Sequence, residues 1–362
     1  MLRVIGHLDL DYFFAQIEEV ENPSLKSLPT VVCVYSGRTE DSGVVSTANY
    51  KAREFGVRSG IPISLAKRRL KGTEAVYVPV DQPKYAAYSD RIMGLMRREF
   101  DEVEQSGIDE AFFNLTSRTQ GDYAKAAALT SQIKGQILKV EGLTCSIGVG
   151  PNKVVSKIAS DSKKPDGLTV VEPTRARSFL FPLPVDKIPG VGPKTSKILR
   201  ENGIQSIQSL AVFPSQKLED IIGKKLAVYL HKAANGQDDE PLAIETETSQ
   251  LSRIITLKAD SGNPTEILSQ LAPSLKDLHE RLTSQNLFFR TVAILGIRPD
   301  LSIHTRSRTL EVPTNDYLVL WRSTKDLLTT LVADLGELRR AGIRVSDMMD
   351  ALKQQSLSEF LG

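Results

Sequence analysis

Acidic side chains interrupt apolar, strand-like sequence at two distant places in this chain. The segment HLDLDYFF carries Asp9 at the end of an apolar run, and GIDEAFFNL carries Asp109 and Glu110 about 100 residues later. Charged residues are almost never fully buried unless they are paired. Acids embedded in apolar strands therefore predict a fold that brings the two strand ends together, with three carboxylates in one cluster. The alternative is that they are solvated acids in surface turns.

Clustered carboxylates repel one another unless a cation lies between them. Hard divalent ions such as Mg²⁺ prefer oxygen ligands and keep several waters, which substrate phosphates can replace. Two such ions about 3.5–4 Å apart can activate a hydroxyl nucleophile and stabilise a leaving pyrophosphate. The cluster therefore predicts in-line phosphoryl transfer, in which positioning and electrostatics supply most of the catalysis.

The composition is that of an ordinary globular protein with several domains. The chain has 362 residues, of which 41% are hydrophobic and 25% charged, and its formal net charge is +2. This length allows about two to four domains. Two cysteines, Cys33 and Cys145, are too few for a disulfide framework and indicate a reducing, cytoplasmic compartment. No apolar run approaches the roughly 20 residues that a membrane helix needs.

The order of strand and helix patterns predicts an α+β protein. They alternate over residues 1–171, where DEVEQSGIDEAFFNLT indicates a hairpin. Short helical patterns follow from residue 172, and the acidic, aperiodic segment 237–246 predicts a linker. Beyond residue 250 the order β-α-β-β-α-β predicts a ferredoxin-like module, and we expect a helix over 345–352.

Specific motifs occur in a fixed order over about residues 1–205: HLDLDYFFAQIEEVENPSLK, VVCVYSGRTEDSGVVSTANYKAREFGVRSGIPI, YVPVD, GIDEAFFNL, CSIGVGPNKVVSKIASDSKKPDG and IPGVGPKTSKILRENGI. In these stretches the chain resembles the Y-family DNA polymerases of the DinB branch, in their archaeal form. The resemblance implies a multidomain α+β fold, the right-hand polymerase. Its expected domains are a palm (1–12 and 79–171), small fingers (13–78), a helix-hairpin-helix thumb (172–236), a linker (237–246), a ferredoxin-like little finger (247–352) and a tail (353–362).

The resemblance also implies an activity and its cofactors. Members of this family add dNTPs to a primer 3′-hydroxyl on a DNA template with low fidelity, tolerate template lesions and have no proofreading. By resemblance, two Mg²⁺ ions, with Mn²⁺ as an alternative, are held by Asp9, the backbone carbonyl of Leu10, Asp109 and Glu110. We expect a monomer that binds primer-template DNA.

Residues for the incoming nucleotide follow from the same motifs. Phe14 matches the steric gate, a ring that leaves no room for a 2′-hydroxyl, although core packing is the alternative for such a ring. The family's other nucleotide contacts match Phe13, Thr47, Tyr50, Arg53 and Lys164, and the spacing of three in STANYKAR predicts one helical side for Thr47, Tyr50 and Arg53. The roof over the nascent base pair corresponds to Val44, Ser46 and Gly60.

Two motifs depart from the family pattern. GIDEAFFNL has Gly107 where the family usually has serine, and it differs further at Phe112, Phe113 and Asn114. KPDG replaces the commoner KPNG, which places Asp166 in the turn after Lys164. The acids remain, so we expect activity to be retained while contacts to the primer end shift.

Regional charge predicts where DNA is gripped. Residues 172–236 hold ten Lys and Arg against five Asp and Glu, whereas 247–352 hold 13 against 13 and the linker has four acids and no base. IPGVGPKTSKIL resembles a helix-hairpin-helix, whose glycine turn exposes N–H groups to a DNA phosphate. The predicted backbone contacts are Gly190, Gly192, Lys194, Arg306 and Arg308. A little finger without net charge predicts weak binding of DNA and low processivity.

The tail QQSLSEFL resembles the peptide that binds a sliding clamp, with Gln354, Leu357, Phe360 and Leu361 filling a pocket. A frayed tail, or a terminal helix packed on its own domain, is the alternative.

For the whole chain, two other functions compete with a translesion polymerase. One is a DNA-bound scaffold whose catalytic core has decayed, and the other is a related palm-type enzyme such as a nucleotide cyclase.

Overall fold

The strands and helices of the first 171 residues alternate as predicted. The computed structural model describes residues 1–244 and 248–350. In residues 1–171 the strands are β1 (Ile5–Leu10), β2 (Thr30–Tyr35), β3 (Gly43–Ala48), β4 (Val76–Pro79), β5 (Val103–Gln105), β6 (Glu110–Asn114), β7 (Cys145–Gly150) and β8 (Leu168–Val170). The helices are α1 (Phe13–Glu21), α2 (Tyr50–Glu54), α3 (Ile63–Arg69), α4 (Gln82–Glu99), α5 (Thr116–Thr119), α6 (Tyr123–Glu141) and α7 (Lys153–Asp161).

A five-stranded sheet in the order β5-β6-β1-β7-β8 forms the centre of this region. β5 and β6 form the predicted hairpin, and both β6 and β7 pair antiparallel with β1. In this register Asp9 lies directly opposite Glu110. The backbone N–H of Leu10 donates to the carbonyl of Asp109 over 2.9 Å. The two acidic segments, distant in sequence, thus meet at neighbouring strand ends.

Helix α7 lies against this sheet at very short distance. It is capped by Asn152, whose side chain accepts a hydrogen bond from the N–H of Val155 over 3.0 Å. The approach is possible because β7 has a glycine here: a Cβ added at Gly148 would lie 2.0 Å from the carbonyl oxygen of Ser156 and 2.3 Å from the nitrogen of Ser160. The contact fixes the position of Lys157, which α7 carries beside the acids.

We expect Gly148→Ala to destabilise the protein by about 3 kcal/mol, the upper end of the usual cost of overpacking, because the added methyl group meets backbone that cannot rotate away. Thermal denaturation followed by circular dichroism measures the change. Gly135→Ala in α6 is the matched control, since its Cβ would have no neighbour within 4 Å and alanine favours a helix interior. Equal unfolding midpoints for the two variants would contradict this packing argument.

Residues 172–244 form short helices and then the segment that the sequence predicts as a linker. The helices are α8 (Ala176–Leu180), α9 (Pro193–Glu201), α10 (Ile207–Ala211), α11 (Ser215–Ile222) and α12 (Lys224–Ala234), and their buried residues share one hydrophobic core with α7. The described part of the linker is fastened along its length. Glu240 pairs with Lys153 over 3.2 Å, and the N–H of Ala243 donates to Glu104 over 2.9 Å.

The C-terminal region has the predicted order β-α-β-β-α-β. Its elements are β9 (Gln250–Ser261), α13 (Pro264–Ser284), β10 (Leu287–Ile297), β11 (Ile303–Thr314), α14 (Tyr317–Leu335) and β12 (Leu338–Asp350). The sheet is antiparallel in the order β11-β10-β12-β9. The expected helix over 345–352 is wrong as far as residue 350, because β12 buries Ala341, Ile343 and Val345 in a strand alternation that the Met-rich end of the segment conceals.

Contacts divide the chain into two units. One contains Met1–Cys33, Val45–Ile61 and the chain from Lys67 into the linker, and the other contains Val34–Val44, Pro62–Ala66 and the described residues from 248 onward. The predicted fingers segment, 13–78, therefore contributes residues to both. In the part of the chain that the structure describes, none of the helices combines the length and hydrophobicity needed to cross a membrane.

Candidate active site

The three acids occupy a partly buried position at the ends of β1 and β6. The side chains of Asp9 and Glu110 are 18% and 23% exposed. Lys164 Nζ lies 2.8 Å from Asp9 Oδ1 and 2.8 Å from Asp161 Oδ1. Lys157 pairs with Glu110, so two ammonium groups lie among the carboxylates.

Burial and neighbouring charges shift the pKa values of the three acids in different directions. Burial raises the pKa of Asp9 to about 6, with Lys164 acting against this effect and the charge of Asp109 adding to it. Burial also raises the pKa of Asp109. In contrast, His7 and Lys157 lower the pKa of Glu110 to about 2, although burial acts in the opposite direction. The position of Asp9 and Asp109 therefore disfavours negative charge and favours an added cation.

The chemistry of the donors fits a hard divalent cation. The three acids offer only oxygen ligands, and the Leu10 carbonyl belongs to the same strand end. Within residues 1–244 and 248–350, however, no three His, Cys, Asp or Glu side chains are already arranged to hold a metal ion. Because lysines hold Asp9 and Glu110, metal binding requires these carboxylates to exchange an ammonium partner for the ion.

Two aromatic residues after the DLD motif have different environments. Phe13 is 3% exposed and its side chain belongs to the core, so a contact of this residue with a nucleotide would have to be made by its backbone. Phe14 is half-buried, and its ring stacks on Tyr85 with centroids 4.2 Å apart and an interplanar angle of 11°. The Tyr85 hydroxyl donates to Glu18 over 2.6 Å, which holds the stack in place.

Tyr50 and Arg53 lie together at the start of α2. The Arg53 guanidinium lies 4.9 Å from the centre of the Tyr50 ring and donates to the carbonyl of Ala48 over 2.8 Å. Burial raises the pKa of Tyr50. Its ring lies edge-on to that of Tyr12, the residue after Asp11, with centroids 5.1 Å apart. Thr47 does not share their helix, contrary to the prediction, because it lies in β3 and Asn49 caps the helix after it.

The structure shows the exposure of the residues expected to cover the nascent base pair, and the contacts made at the two motifs that depart from the family pattern. Val44 is 45% exposed and Ser46 is half-buried in β3. Gly60 has a φ of +86°, with open space where a Cβ would point. Gly107 leaves room for the acids, since a Cβ there would lie 2.9 Å from Glu110 Cγ. Asp166 pairs with Lys134 over 2.6 Å, which gives a structural reason for KPDG.

The predicted helix-hairpin-helix turn has the expected backbone. Gly190 has a φ of +88°, and Gly192 caps α9, which carries Lys194 in its exposed first turn. The Tyr229 hydroxyl donates to the carbonyl of Pro189 over 2.9 Å and fixes the turn against α12.

The arginines proposed for the C-terminal domain are already paired with acids. Arg306 pairs with Asp334 and Arg308 with Asp326, both acids belonging to α14. The charge of each of these two arginines is therefore balanced by an acid of the same domain. The predicted clamp-binding residues Gln354, Leu357, Phe360 and Leu361 lie outside the described residues.

Sequence reasoning assigned no role to several residues that the structure places at the site. His7 is fully buried, with Nδ1 2.8 Å from Ser160 Oγ and Nε2 3.4 Å from Glu110 Oε2. Lys157 and Asp11 were also missed. One signal was available for His7: it lies two residues before Asp9 in a strand, and such residues share a face.

Comparisons with known proteins cover nearly the whole chain. Family models match residues 8–161 (impB/mucB/samB family), 186–238 (DNA polymerase-iota, thumb domain) and 248–358 (impB/mucB/samB family C-terminal domain). The chain is 43% identical to DNA polymerase IV 1 of Methanosarcina mazei, over 99% of this chain and 100% of that protein. It is 39% identical to DNA polymerase IV of Nitrosopumilus maritimus, over 99% of each.

Solved structures agree with the sequence comparisons. A Y-family DNA polymerase chimera of Dbh and Dpo4 has a TM-score of 0.88 and 36% identity, covering 96% of this chain and 99% of the other. An insertion ternary complex of Dbh DNA polymerase has a TM-score of 0.69 and 35% identity over the same shares. The expected right-hand polymerase fold, with its helix-hairpin-helix thumb, is confirmed. The chain therefore belongs to the Y-family of DNA polymerases, in the archaeal DinB-type branch, and is a DNA-directed DNA polymerase.

Proposed function

We propose that this translesion polymerase extends a primer by two-metal phosphoryl transfer at the cluster of Asp9, Asp109 and Glu110, with low fidelity and no proofreading. The observation that carries the proposal is the register of β1 and β6, which brings these acids and the Leu10 carbonyl to one strand end beside Lys164. Primer extension with dNTPs and Mg²⁺, or Mn²⁺ as an alternative, tests it.

Each group has a distinct task in this mechanism. Two bound Mg²⁺ ions would lower the pKa of the attacking hydroxyl and neutralise charge on the leaving pyrophosphate. The acids and the Leu10 carbonyl would hold these ions. Tyr50, Arg53 and Lys164 offer a phenol, a guanidinium and an ammonium to triphosphate oxygens, with which such donors form strong hydrogen bonds. Thr47 of β3 would add a hydroxyl, and Val44, Ser46 and Gly60 would cover the nascent base pair.

The substrates are primer-template DNA and dNTPs, and we propose that the thumb supplies most of the DNA grip. Residues 172–236 carry a net charge of +5, and Gly190, Gly192 and Lys194 form an exposed turn and helix start suited to a backbone phosphate. Arg306 and Arg308 are weaker contacts, because each must leave an aspartate to bind DNA. This arrangement supports low processivity.

Primer-template affinity is expected to fall steeply as salt rises, since phosphate contacts dominate such binding. Lys194→Ala should reduce the slope of log affinity against log salt by about one, the share of a single phosphate contact. Fluorescence anisotropy over a KCl series measures both quantities. Lys139→Ala, an exposed lysine of α6, is the matched control and should leave the slope unchanged. A flat salt response, or equal slopes for the two variants, would contradict the thumb assignment.

We also propose that the C-terminal tail binds a sliding clamp through Gln354, Leu357, Phe360 and Leu361. The proposal rests on the spacing of QQSLSEFL, which is typical of a peptide that fills a clamp pocket. Deleting residues 353–362 should abolish stimulation of synthesis by the clamp and leave synthesis without the clamp intact. If the clamp still stimulates synthesis after the deletion, the proposal that the tail binds the clamp is wrong.

We propose a monomer that works in the cytoplasm. Cys33 and Cys145 are both buried, and two cysteines are too few for a disulfide framework, which suits a reducing compartment. Sedimentation velocity at micromolar concentration tests the monomer, and a single species near 39.9 kDa is expected.

A further inference from the structure

A buried carboxylate beside the site has a different task from the three acids. Asp11 is 1% exposed, and its two oxygens accept three hydrogen bonds. The donors are the Thr144 hydroxyl at 2.9 Å, the Ser146 hydroxyl at 2.8 Å and the backbone N–H of Asp166 at 2.8 Å. A carboxylate engaged in this way is bound to protein on both oxygens. Its partners, and not a ligand, therefore indicate what it does.

The third donor belongs to the turn that carries Lys164. Gly167, the last residue of this turn, donates its N–H over 3.1 Å to the Ser146 hydroxyl, which in turn donates to Asp11. Asp166 has a φ of +55°, and a Cβ at Gly167 would lie 2.4 Å from the carbonyl oxygen of Lys163. The backbone of this turn therefore has few accessible conformations, and its hydrogen bond to Asp11 fixes its position.

Lys164 is thus held at both ends. Its backbone lies two residues before the N–H that binds Asp11, and its Nζ lies 2.8 Å from Asp9 Oδ1 and from Asp161 Oδ1. A flexible lysine loses side-chain entropy when it is fixed in this way. A rigid turn reduces the number of positions that its ammonium can reach.

We propose that Asp11 is a positioning residue that holds the Lys164 turn so that the ammonium meets the triphosphate of the incoming nucleotide. The inference rests on the proposed contact between Lys164 and the triphosphate. Both oxygens of Asp11 are already engaged by protein donors, so in this proposal Asp11 acts through the turn and not on a metal or nucleotide. It acts by fixing the N–H of Asp166, while Ser146 fixes that of Gly167.

The test is a double-mutant cycle on the full chain. Asp11→Asn keeps the side-chain volume but has one acceptor oxygen in place of two. In either orientation of the amide, its NH₂ group faces Ser146 or the pair Thr144 and Asp166, and it cannot accept a hydrogen bond there. Because small misplacements of a positioning group can cost about a hundredfold, we expect kcat/KM for dNTP to fall roughly ten- to a hundredfold, with primer-template affinity unchanged. In a Lys164→Ala background the same substitution should have no further effect, since residues that act through one another are not additive.

Two more variants keep the outcome decisive if Asp11→Asn folds poorly. Ser146→Ala removes the hydroxyl that holds Gly167, and it should also lower kcat/KM for dNTP only when Lys164 is present. Thr144→Val is the matched control, because it removes a donor to Asp11 that has no contact with the turn. It should leave kcat/KM for dNTP unchanged.

The outcomes separate this inference from the function on which it rests. If Lys164→Ala leaves kcat/KM for dNTP unchanged, the proposed triphosphate contact is wrong. If Lys164→Ala lowers it and Asp11→Asn multiplies the loss, Lys164 keeps its role and the positioning role of Asp11 is wrong. An equal loss in Thr144→Val would also overturn that positioning role, because the turn would then not be the cause.

Discussion

Asp109→Ala is expected to abolish primer extension while leaving the fold intact. Removing a preorganised charge from a phosphoryl-transfer site typically costs about a thousandfold or more, so kcat/KM for dNTP should fall by at least that factor. Within the described chain no lysine or arginine forms an ion pair with Asp109, whereas Asp9 and Glu110 are each paired with a lysine. Its removal therefore leaves no buried cation without a partner.

Stability distinguishes loss of chemistry from loss of structure. Burial raises the pKa of Asp109, so the folded state disfavours its charge, and the alanine variant should unfold at the same temperature as the parent or higher. Asp101→Ala, an exposed acid before β5, is the matched control and should retain full activity. Single-nucleotide incorporation under single-turnover conditions measures the rates.

The same experiment also gives a direct biochemical check on the two alternatives that the sequence alone left open. A decayed scaffold would bind DNA but would not extend a primer even as the parent protein, and a cyclase would release pyrophosphate without a primer. Extension by the parent at a rate that Asp109→Ala does not change would place the chemistry elsewhere in the chain. The proposed metal ligands would then be wrong as a set.

Phe14→Ala is expected to admit ribonucleotides. The ring is held flat against Tyr85, so it cannot rotate away from a 2′-hydroxyl without losing the stack. Forcing extra atoms into a packed space costs about 1–3 kcal/mol, which corresponds to roughly a 5- to 160-fold loss of discrimination when the ring is removed. Competition between dCTP and CTP opposite template guanine measures the ratio of kcat/KM values.

Variants of neighbouring aromatic residues sharpen this prediction. Tyr85→Phe keeps the stacked ring and loses only the hydrogen bond to Glu18, so discrimination should remain. Phe55→Ala removes an exposed ring just after α2 and serves as the control. If Phe14→Ala still rejects CTP as the parent does, Phe14 is a packing residue and another group excludes the 2′-hydroxyl.

Much of the fold followed from local patterns in the sequence. The hairpin of β5 and β6 and the order of the C-terminal elements were predicted correctly, because alternation and turn residues act over a few positions. Two errors have the same origin. The spacing in STANYKAR places Thr47 on a helix, and the expected helix over 345–352 overlaps β12, whereas both segments are strands in the structure, up to residue 350 in the second case.

The sequence reveals the acidic residues because their motifs are unusual, but it does not reveal the residues that pair with them. Lys157 pairs with Glu110 across 47 positions, and Asp11 binds Ser146 across 135. Such pairs depend on how α7 and the Lys164 turn pack on the sheet, which no local pattern records. Single lysines and serines are common on surfaces, so their identities alone carried no signal.

The paired arginines of the C-terminal domain change the thermodynamics of DNA binding there. A free lysine that binds a phosphate releases a condensed counterion, and this gain in entropy drives most non-specific association. Arg306 and Arg308 must instead give up Asp334 and Asp326, and each freed carboxylate then takes a cation from solution. The cation that each freed carboxylate takes up nearly balances the counterion that DNA releases, so the number of free ions hardly changes. If Arg306 and Arg308 contact DNA as proposed, these two side chains should therefore add little to the dependence of affinity on ionic strength. The salt slope should then report mainly the lysines and arginines of the thumb.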